Sequence, residues 1–331
     1  MLEVELDIFS GMPNPKWVLS EREEKELLDR AIADPGQFSP AYTPDEQFSL
    51  GYRGLIVREI KTDQNLWSRT LLESNIPLPS EFRVGSKPTS LAAAEWLLQT
   101  SEMRSKQSRV TDELREAAAA GIALIQSPRE AIDPSDATIF TGEGDPEYSY
   151  LPTVTGEGAD TPFGSGEIGS QGATWWACSS NYFTANIAFF NDPAHVGRNN
   201  CYCFASNHRA DVRYALPGRR GGRPATSITC SGVISGLYAD GWKDGCQPNG
   251  LTIVLVIWPN VDYHFYRLVT GSPNWWWGHK PGGTPAKYTD DCGHALYQVS
   301  GRGYSPINCC RGNYTNFCGY FYQNNSTAFV A

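Results

Sequence analysis

The cysteines of this 331-residue chain are confined to its second half. The first is Cys178, and all nine lie between it and Cys318. This abrupt change in composition, together with the length of the chain, predicts two domains. Because nine is an odd number, at least one cysteine stays unpaired in an oxidising compartment, and four disulfides plus one reactive thiol fit the count.

Composition and charge narrow the range of partners. The net charge is −9 and the isoelectric point is about 5.1, which argues against binding nucleic acid through its phosphates. No run approaches the roughly 18 apolar residues of a membrane span, and the opening MLEVELDIFSG lacks the basic end and apolar block of a signal peptide. The clustered cysteines nevertheless favour an extracellular setting over the cytoplasm.

Residues 1–130 are predicted to form a small α/β domain. Leu2, Val4 and Leu6 alternate with acidic residues, as in a strand with one buried face. Ser20 and Glu23 have the spacing of a capping box. The predicted elements after the first strand are a helix over EREEKELLDRAIA, a strand over GLIVREI, and helices over SLAAAEWLLQT and TDELREAAAAGIALI. Since no chemically suggestive cluster of side chains occurs here, we expect an accessory or docking domain.

Residues 131–173 are rich in glycine, proline and acidic residues, which predicts a linker. The residues that could act in catalysis lie in the following segment, 174–331.

Cys201 comes directly after Asn199 and Asn200, which can cap a helix that begins there. A thiol at a helix N-terminus has a lowered pKa, so the position suits a nucleophile.

A candidate base follows on a predicted strand. LTIVLVIWPN is typical of a buried strand, and VDYHFYRLV predicts the next, with His264 and Tyr266 on one face and Tyr263 on the other. Further on, NWWWGHKPGG offers Asn274 and His279, either of which can orient the imidazole of a base.

This order of residues resembles the papain-like cysteine hydrolases, a clan that includes the NlpC/P60 and CHAP enzymes. CYCF, followed by an inserted Ala205 and then Ser206, is similar to the clan's nucleophile helix. The resemblance implies a papain-like (NlpC/P60-like) α+β C-terminal domain that hydrolyses amide bonds of a peptide, peptidoglycan or protein substrate without a cofactor. The glutamine that usually precedes the nucleophile in this clan is absent.

The roles implied by the resemblance are specific. Cys201 is the nucleophile and His264 the base. The set that completes the site has Asn274 or His279 as orienter, Asn199, Asn200 or His195 as oxyanion donor, and Trp276 and Trp277 lining the cleft. Cys230 is an alternative nucleophile, because TCSGVISGLY also resembles an NlpC/P60 segment, but it precedes His264 by only 34 residues where Cys201 precedes it by 63.

A second class of function rests on tryptophan clusters. Trp175 and Trp176 are adjacent, and WWW at 275–277 has flanking residues typical of a turn, where exposed rings can bind glycan or extracellular matrix. The chain also resembles a group of proteins named after a mollusc insoluble shell-matrix protein. The similar stretches are NNCY, DYHFYR, WGHKPGGT and FCGYF. That resemblance implies a secreted, disulfide-stiffened module and keeps a non-enzymatic function open.

The sequence predicts no metal site. None of the closely spaced ligand pairs has the spacing of a zinc knuckle. These pairs are Cys292 with His294, Cys201 with Cys203, and Cys309 with Cys310. GRRGGRP at 218–224 lacks the lysine-hydroxyl ending of a phosphate loop and is expected to be a mobile basic loop that attracts acidic groups.

Overall fold

The computed structural model describes residues 1–41, 48–60, 79–102, 109–126, 161–163, 175–178, 180–270, 274–299 and 302–331. The chain divides into two compact units, and the expected α+β class is confirmed. The first unit comprises Met1–Phe9, Pro13–Thr43 and Ser49–Glu130, and the second comprises Ser10–Met12, Pro44–Phe48 and Ala131–Ala331. The segment predicted as a linker lies outside the described residues except for 161–163.

The first unit contains a five-stranded antiparallel sheet in the order β2-β1-β4-β5-β3. Its strands are β1 (Leu2–Leu6), β2 (Lys16–Val18), β3 (Phe38–Pro40), β4 (Leu55–Glu59) and β5 (Glu81–Val84). Its helices are α1 (Glu21–Ala33), α2 (Leu91–Thr100) and α3 (Asp112–Gln126). The predicted capping box opens α1, with Ser20 and Glu23 bonding each other's backbone amides. The elements predicted for this half are therefore present.

Acidic residues of β1 and the loop after it are more buried than a half-exposed strand implies. The Asp7 carboxylate is buried between two fully buried arginines, with Arg53 Nη2 at 2.7 Å and Arg83 Nη1 at 2.8 Å. The two guanidinium groups outweigh the effect of burial and hold the pKa of Asp7 well below its usual range. The carboxylate thus stays charged, and its single negative charge is shared between two buried cations.

Asp7→Asn should destabilise the first unit, because two buried guanidinium groups lose their counter-charge. The expected loss is about 3 to 5 kcal/mol, since removing one partner from a buried ion pair is strongly destabilising. Hydrogen exchange of the β1 and β4 amides measures this unit separately. The matched control is Glu3→Gln, which removes a partly exposed partner of Lys16 and should cost less than about 1 kcal/mol. Equal protection in Asp7→Asn and wild type would contradict the prediction.

The second unit contains a six-stranded antiparallel sheet in the order β12-β11-β10-β9-β8-β13. Its strands are β8 (Gly250–Trp258), β9 (Asp262–Leu268), β10 (Asn274–His279), β11 (Tyr297–Val299), β12 (Arg302–Gly303) and β13 (Asn316–Asn324), beside a separate pair, β6 (Thr161–Phe163) and β7 (Trp175–Ala177). Its helices are α4 (Ile187–Asn191), α5 (Cys201–Ala205) and α6 (Cys230–Ala239). No helix within the described ranges is long and apolar enough to cross a membrane.

The central strands β8 and β9 are the two predicted from the sequence, and every residue in them is buried. An antiparallel sheet commonly leaves one face to solvent, whereas here both faces of its centre are covered. Tyr263 and Phe265 face the helical side, where the ring of Tyr202 lies 5.1 Å from that of Phe265. His264 and Tyr266 face the opposite side. The strand therefore separates two different environments.

A buried carboxylate at the start of β9 holds a short N-terminal segment of the second unit. Asp262 accepts hydrogen bonds from the backbone N–H groups of Ser10, Gly11 and Met12 and from the Tyr314 hydroxyl. Burial outweighs these hydrogen bonds and raises the pKa of Asp262 to about 6. The folded protein thus favours the protonated acid relative to the unfolded chain.

Asp262 should make the second unit less stable as the pH rises from about 4 to about 6, because the folded pKa lies above the ordinary value. The stabilisation is fully present below the ordinary pKa and is lost through the folded one, by about 3 kcal/mol in total. Urea unfolding at closely spaced pH values, compared between wild type and Asp262→Asn, isolates this contribution. A difference between the two proteins that does not change across this window would contradict it.

Candidate functional site

The candidate nucleophile begins α5 as the sequence predicts. The Asn200 side chain accepts hydrogen bonds from the N–H groups of Tyr202 and Cys203, both at 3.2 Å, and so caps the helix. Its amide nitrogen donates to the Ala215 carbonyl at 2.9 Å. These bonds place Cys201 in the first turn, against β9.

The Cys201 thiol is fully buried, and its sulfur lies 3.9 Å from the backbone oxygen of Tyr263. Burial, with a smaller contribution from the charge of Asp262, raises its pKa well above the ordinary value. Cys201 is therefore a protonated thiol enclosed in the core. The lowered pKa that its position at a helix start suggested is absent, because the cost of burying a thiolate exceeds the effect of one short helix.

Cys203 and Cys309, the other two unpaired cysteines, are also buried and also have a raised pKa. Burial raises the pKa of Cys203 to about 11 and that of Cys309 to about 12. The Cys203 sulfur faces the Val212 carbonyl at 3.4 Å, and the Cys309 sulfur lies 3.7 Å from the Tyr266 hydroxyl. All three unpaired cysteines are thus buried, and burial raises the pKa of each thiol.

The structure does not bring Cys201 and His264 together. Cys201 lies on the helical side of the sheet, near Tyr263, whereas His264 points to the other side, where its ring lies 4.9 Å from that of Tyr266. Successive side chains of a strand point to opposite faces, so a thiol packed beside residue 263 is separated from the side chain of residue 264 by the sheet itself. The described contacts of Cys201 and of the His264 ring therefore lie on opposite faces of β9.

His264 instead pairs with His279, the proposed orienter. Their Nε2 and Nδ1 atoms are 2.9 Å apart, and His279 Nε2 lies 2.8 Å from the Thr289 carbonyl oxygen. Because that oxygen only accepts, His279 carries its hydrogen on Nε2 and accepts from His264 through Nδ1. Burial, with the charge of Lys287, lowers the pKa of His279 far below its usual value. The His279 ring is therefore neutral and fixed.

The proposed oxyanion donors are occupied. Asn199 Nδ2 donates to the His195 carbonyl and to Asp211 Oδ1, both at 2.9 Å, and its oxygen accepts the Asp211 N–H. The His195 ring also contacts Asp211, with Nδ1 at 2.9 Å from the carboxylate. The Asn200 side chain is used in the helix cap. The Asn274 side chain lies outside the described residues.

The tryptophan triplet is a strand, which corrects the turn predicted for it. Residues 275–277 belong to β10, which pairs with β9 and β11. Trp277 is fully buried, and Trp276 is half-buried with its ring 4.6 Å from that of Tyr297. The three consecutive aromatic side chains favour a strand more strongly than the flanking glycine and proline favour a turn. The triplet therefore does not form an exposed platform, and the side chains of Trp175 and Trp176 are outside the described residues.

The disulfides correct the predicted thiol count. The structure has three disulfides, not four, and three unpaired cysteines. The pairs are Cys178–Cys246, Cys230–Cys318 and Cys292–Cys310. The alternative nucleophile Cys230 is thus one half of a disulfide and has no free thiol. Within the second unit, two of the cross-links join cysteines 68 and 88 residues apart, and the third joins cysteines 18 residues apart.

The backbone of the basic loop at 218–224, which the sequence predicts to be mobile, is hydrogen-bonded to a buried carboxylate. Its N–H groups at Gly218 and Gly221 donate to the buried Asp240 carboxylate at 2.7 and 2.8 Å. Gly218 has a φ of +86°, and a Cβ there would lie 1.9 Å from the Arg223 carbonyl oxygen, so only glycine fits. The amides that would hold a phosphate in a phosphate loop instead hold the protein's own carboxylate, with Arg219 and other arginines exposed.

Aromatic rings accompany these arginines, a feature that the sequence analysis missed. Arg220 lies 4.8 Å from the ring of exposed Phe329, which also packs 4.9 Å from the His208 ring. Arg209, the next residue after His208, covers exposed Phe189 at 3.9 Å. We name this the arginine–aromatic surface, which comprises Phe189, Arg209, Arg219, Arg220, Arg223 and Phe329. A sequence signal existed, because residues 193–239 contain six arginines, one aspartate and no other acidic residue or lysine.

Comparison with known proteins gives one informative match. No family model matches the chain, and no solved structure matches it. Insoluble matrix shell protein 1 of Ruditapes philippinarum is 38% identical over 126 residues, which are 37% of this chain and 78% of that protein. The match covers most of the relative, and so the chain belongs to the family of insoluble matrix shell protein 1.

Proposed function

We propose that this protein is a non-enzymatic, disulfide-stiffened extracellular module that binds a polyanionic polysaccharide through the arginine–aromatic surface. The observation that carries the proposal is the fixed loop at 218–224, which presents exposed arginines beside exposed aromatic rings in a protein of net charge −9. The relationship to a shell-matrix protein and the three disulfides support an extracellular structural role.

The charge distribution supports an anionic ligand. Residues 193–239 carry a formal charge of +5, from six arginines and one aspartate, although the whole chain is acidic. Such a local reversal attracts polyanions to one surface while the remaining surface repels them. Asp240 fixes the loop backbone before binding, so less conformational entropy is lost when the arginines bind.

The aromatic rings favour a saccharide over an acidic protein. Phe189 is 44% exposed and Phe329 is 38% exposed, and each already lies under an arginine. A flat apolar ring can cover the apolar face of a sugar while the neighbouring guanidinium group binds its sulfate or carboxylate. This pairing replaces the tryptophan triplet as the binding surface.

Hydrolysis of amide bonds by Cys201 has less support. The thiol is buried and protonated, and the sheet separates it from His264. His264 and His279 are both buried and hydrogen-bonded to each other on the opposite face of the sheet.

In the native protein, Cys201, Cys203 and Cys309 should resist alkylation by iodoacetamide at pH 7, because burial keeps each thiol protonated and inaccessible. The same reagent in denaturant without reductant should modify all three, since they are the unpaired cysteines. Peptide mass spectrometry identifies the modified residues. Rapid labelling of Cys201 alone in the native protein would contradict the prediction and restore the hydrolase hypothesis.

The triple variant Arg219→Glu, Arg220→Glu and Arg223→Glu should bind heparin about 10- to 100-fold more weakly than wild type, at about 0.5 to 1 kcal/mol for each lost contact. Binding of wild type should also weaken with added salt. Surface plasmon resonance on immobilised heparin, with neutral dextran as reference, measures both effects.

The matched control reverses three exposed cations of the first unit, Arg22, Lys25 and Lys87, and so makes the same change in net charge. It should keep wild-type affinity. Equal loss in the two triple variants would mean that net charge alone controls binding. Binding of an acidic polypeptide, with none of heparin, would assign the surface to a protein partner and overturn the saccharide proposal.

A further inference from the structure

Four potential metal ligands lie together in the loops that flank β11 and β12. They are Asp290, Cys292, His294 and Cys310, and their ligand atoms lie within 4.8 Å of one another. In the structure the two cysteines form a disulfide, so their sulfurs are not available to a metal in this state. The grouping had no signal in the spacing of the sequence, because Cys310 reaches it only through the fold.

The Asp290 carboxylate organises this group. It is buried and accepts the backbone N–H groups of Cys292 at 2.9 Å, His294 at 2.8 Å and Cys310 at 2.9 Å. Its Oδ2 atom also contacts His294 Nδ1 at 3.0 Å. The backbones of both cysteines are therefore fixed by bonds that do not depend on the disulfide. The His294 ring stacks on Tyr304 with centroids 4.0 Å apart, which fixes the imidazole as well.

This disulfide is also the one most accessible to a reductant. Cys292 is exposed and Cys310 is half-buried. Each of the other two disulfides contains a buried cysteine, Cys178 in one and Cys318 in the other. Attack of a thiolate on a disulfide requires access to a sulfur, so Cys292–Cys310 should be reduced first.

We propose that reduced Cys292 and Cys310, with His294 and Asp290, form a site for a zinc-type divalent cation, so that a metal or a disulfide can close the same loop. A dithiol supplies two electrons and two protons to the disulfide and is itself oxidised to a cyclic disulfide. The two cysteine thiols then release two protons as their thiolates bind the cation. Oxidation of the thiolates by a disulfide oxidant reverses the sequence and releases the metal.

The ligand set fits this class of ion. Two thiolates, one imidazole and one carboxylate are the ligand types of four-coordinate zinc sites. With zinc–sulfur bonds of about 2.3 Å, tetrahedral geometry places the sulfurs about 3.7 Å apart. The sulfurs, 2.01 Å apart in the disulfide, must move to about that distance, while Asp290 and His294 already lie side by side. The cation would take the place of the hydrogen bond between them.

The test uses the full chain, reduced with limiting phosphine and freed of reductant under argon. Alkylation and mass spectrometry should show Cys292 and Cys310 labelled before the cysteines of the other disulfides. Titration with Co²⁺ alone should then give the visible bands of tetrahedral cobalt and a thiolate-to-cobalt charge-transfer band, with about two protons released per ion at neutral pH.

Two pairs of variants test the assignment. Cys292→Ser with Cys310→Ser should abolish the charge-transfer band, whereas Cys178→Ser with Cys246→Ser should keep it. His294→Ala should weaken cobalt binding at least about 10-fold, and His195→Ala, at a histidine elsewhere on the same unit, should not change it.

Three results would overturn the proposal. The first is an octahedral spectrum without a thiolate band. The second is an unchanged band in the Cys292→Ser and Cys310→Ser variant, which would assign it to Cys201, Cys203 or Cys309. The third is reduction of another disulfide before Cys292–Cys310. Each of these measurements is independent of saccharide binding, so the proposal stands or fails separately from the proposed function.

Discussion

Burial of β9 on both faces is the constraint on which the second unit depends. A strand that is covered on both sides must supply a different set of side chains to each environment. Tyr263 and Phe265 complete the core beneath α5, whereas His264 and Tyr266 complete a separate aromatic cluster. The same alternation that builds the two cores separates the thiol at the start of α5 from the histidine of the strand.

Arg267 of β9 attaches the strand to the end of helix α5. Its buried guanidinium group donates to the Phe204 carbonyl at 2.6 Å and to Asn186 Oδ1 at 2.7 Å, and it lies 4.4 Å from the Phe204 ring. Burial lowers the pKa of Arg267 to about 9, but carbonyl and amide oxygens compensate for the lost hydration. The last turn of α5 is thus held from the strand, as its first turn is held by Asn200.

The nine cysteines divide into buried thiols and disulfides. Three are buried thiols, and six form disulfides within the second unit, two of which join segments far apart in the chain. Such cross-links restrict the unfolded chain and suit a protein outside the cell, whereas the buried thiols contribute to the packing of the core. The loop at 218–224, whose Gly218 and Gly221 amides donate to Asp240, presents exposed arginines, and this is the surface that we propose binds a polyanion.

The sequence by itself determined the local elements of this protein. Period-two alternation located β1 and β9, and a capping pair located the start of α1, because these signals depend only on neighbouring residues. It also placed His264 and Tyr263 on opposite faces of one strand. Only the tertiary structure decided which of those faces meets α5, that Asp7 is buried between two arginines, and which cysteines pair. Each of these outcomes depends on contacts between segments far apart in the chain, and no local pattern specifies such contacts.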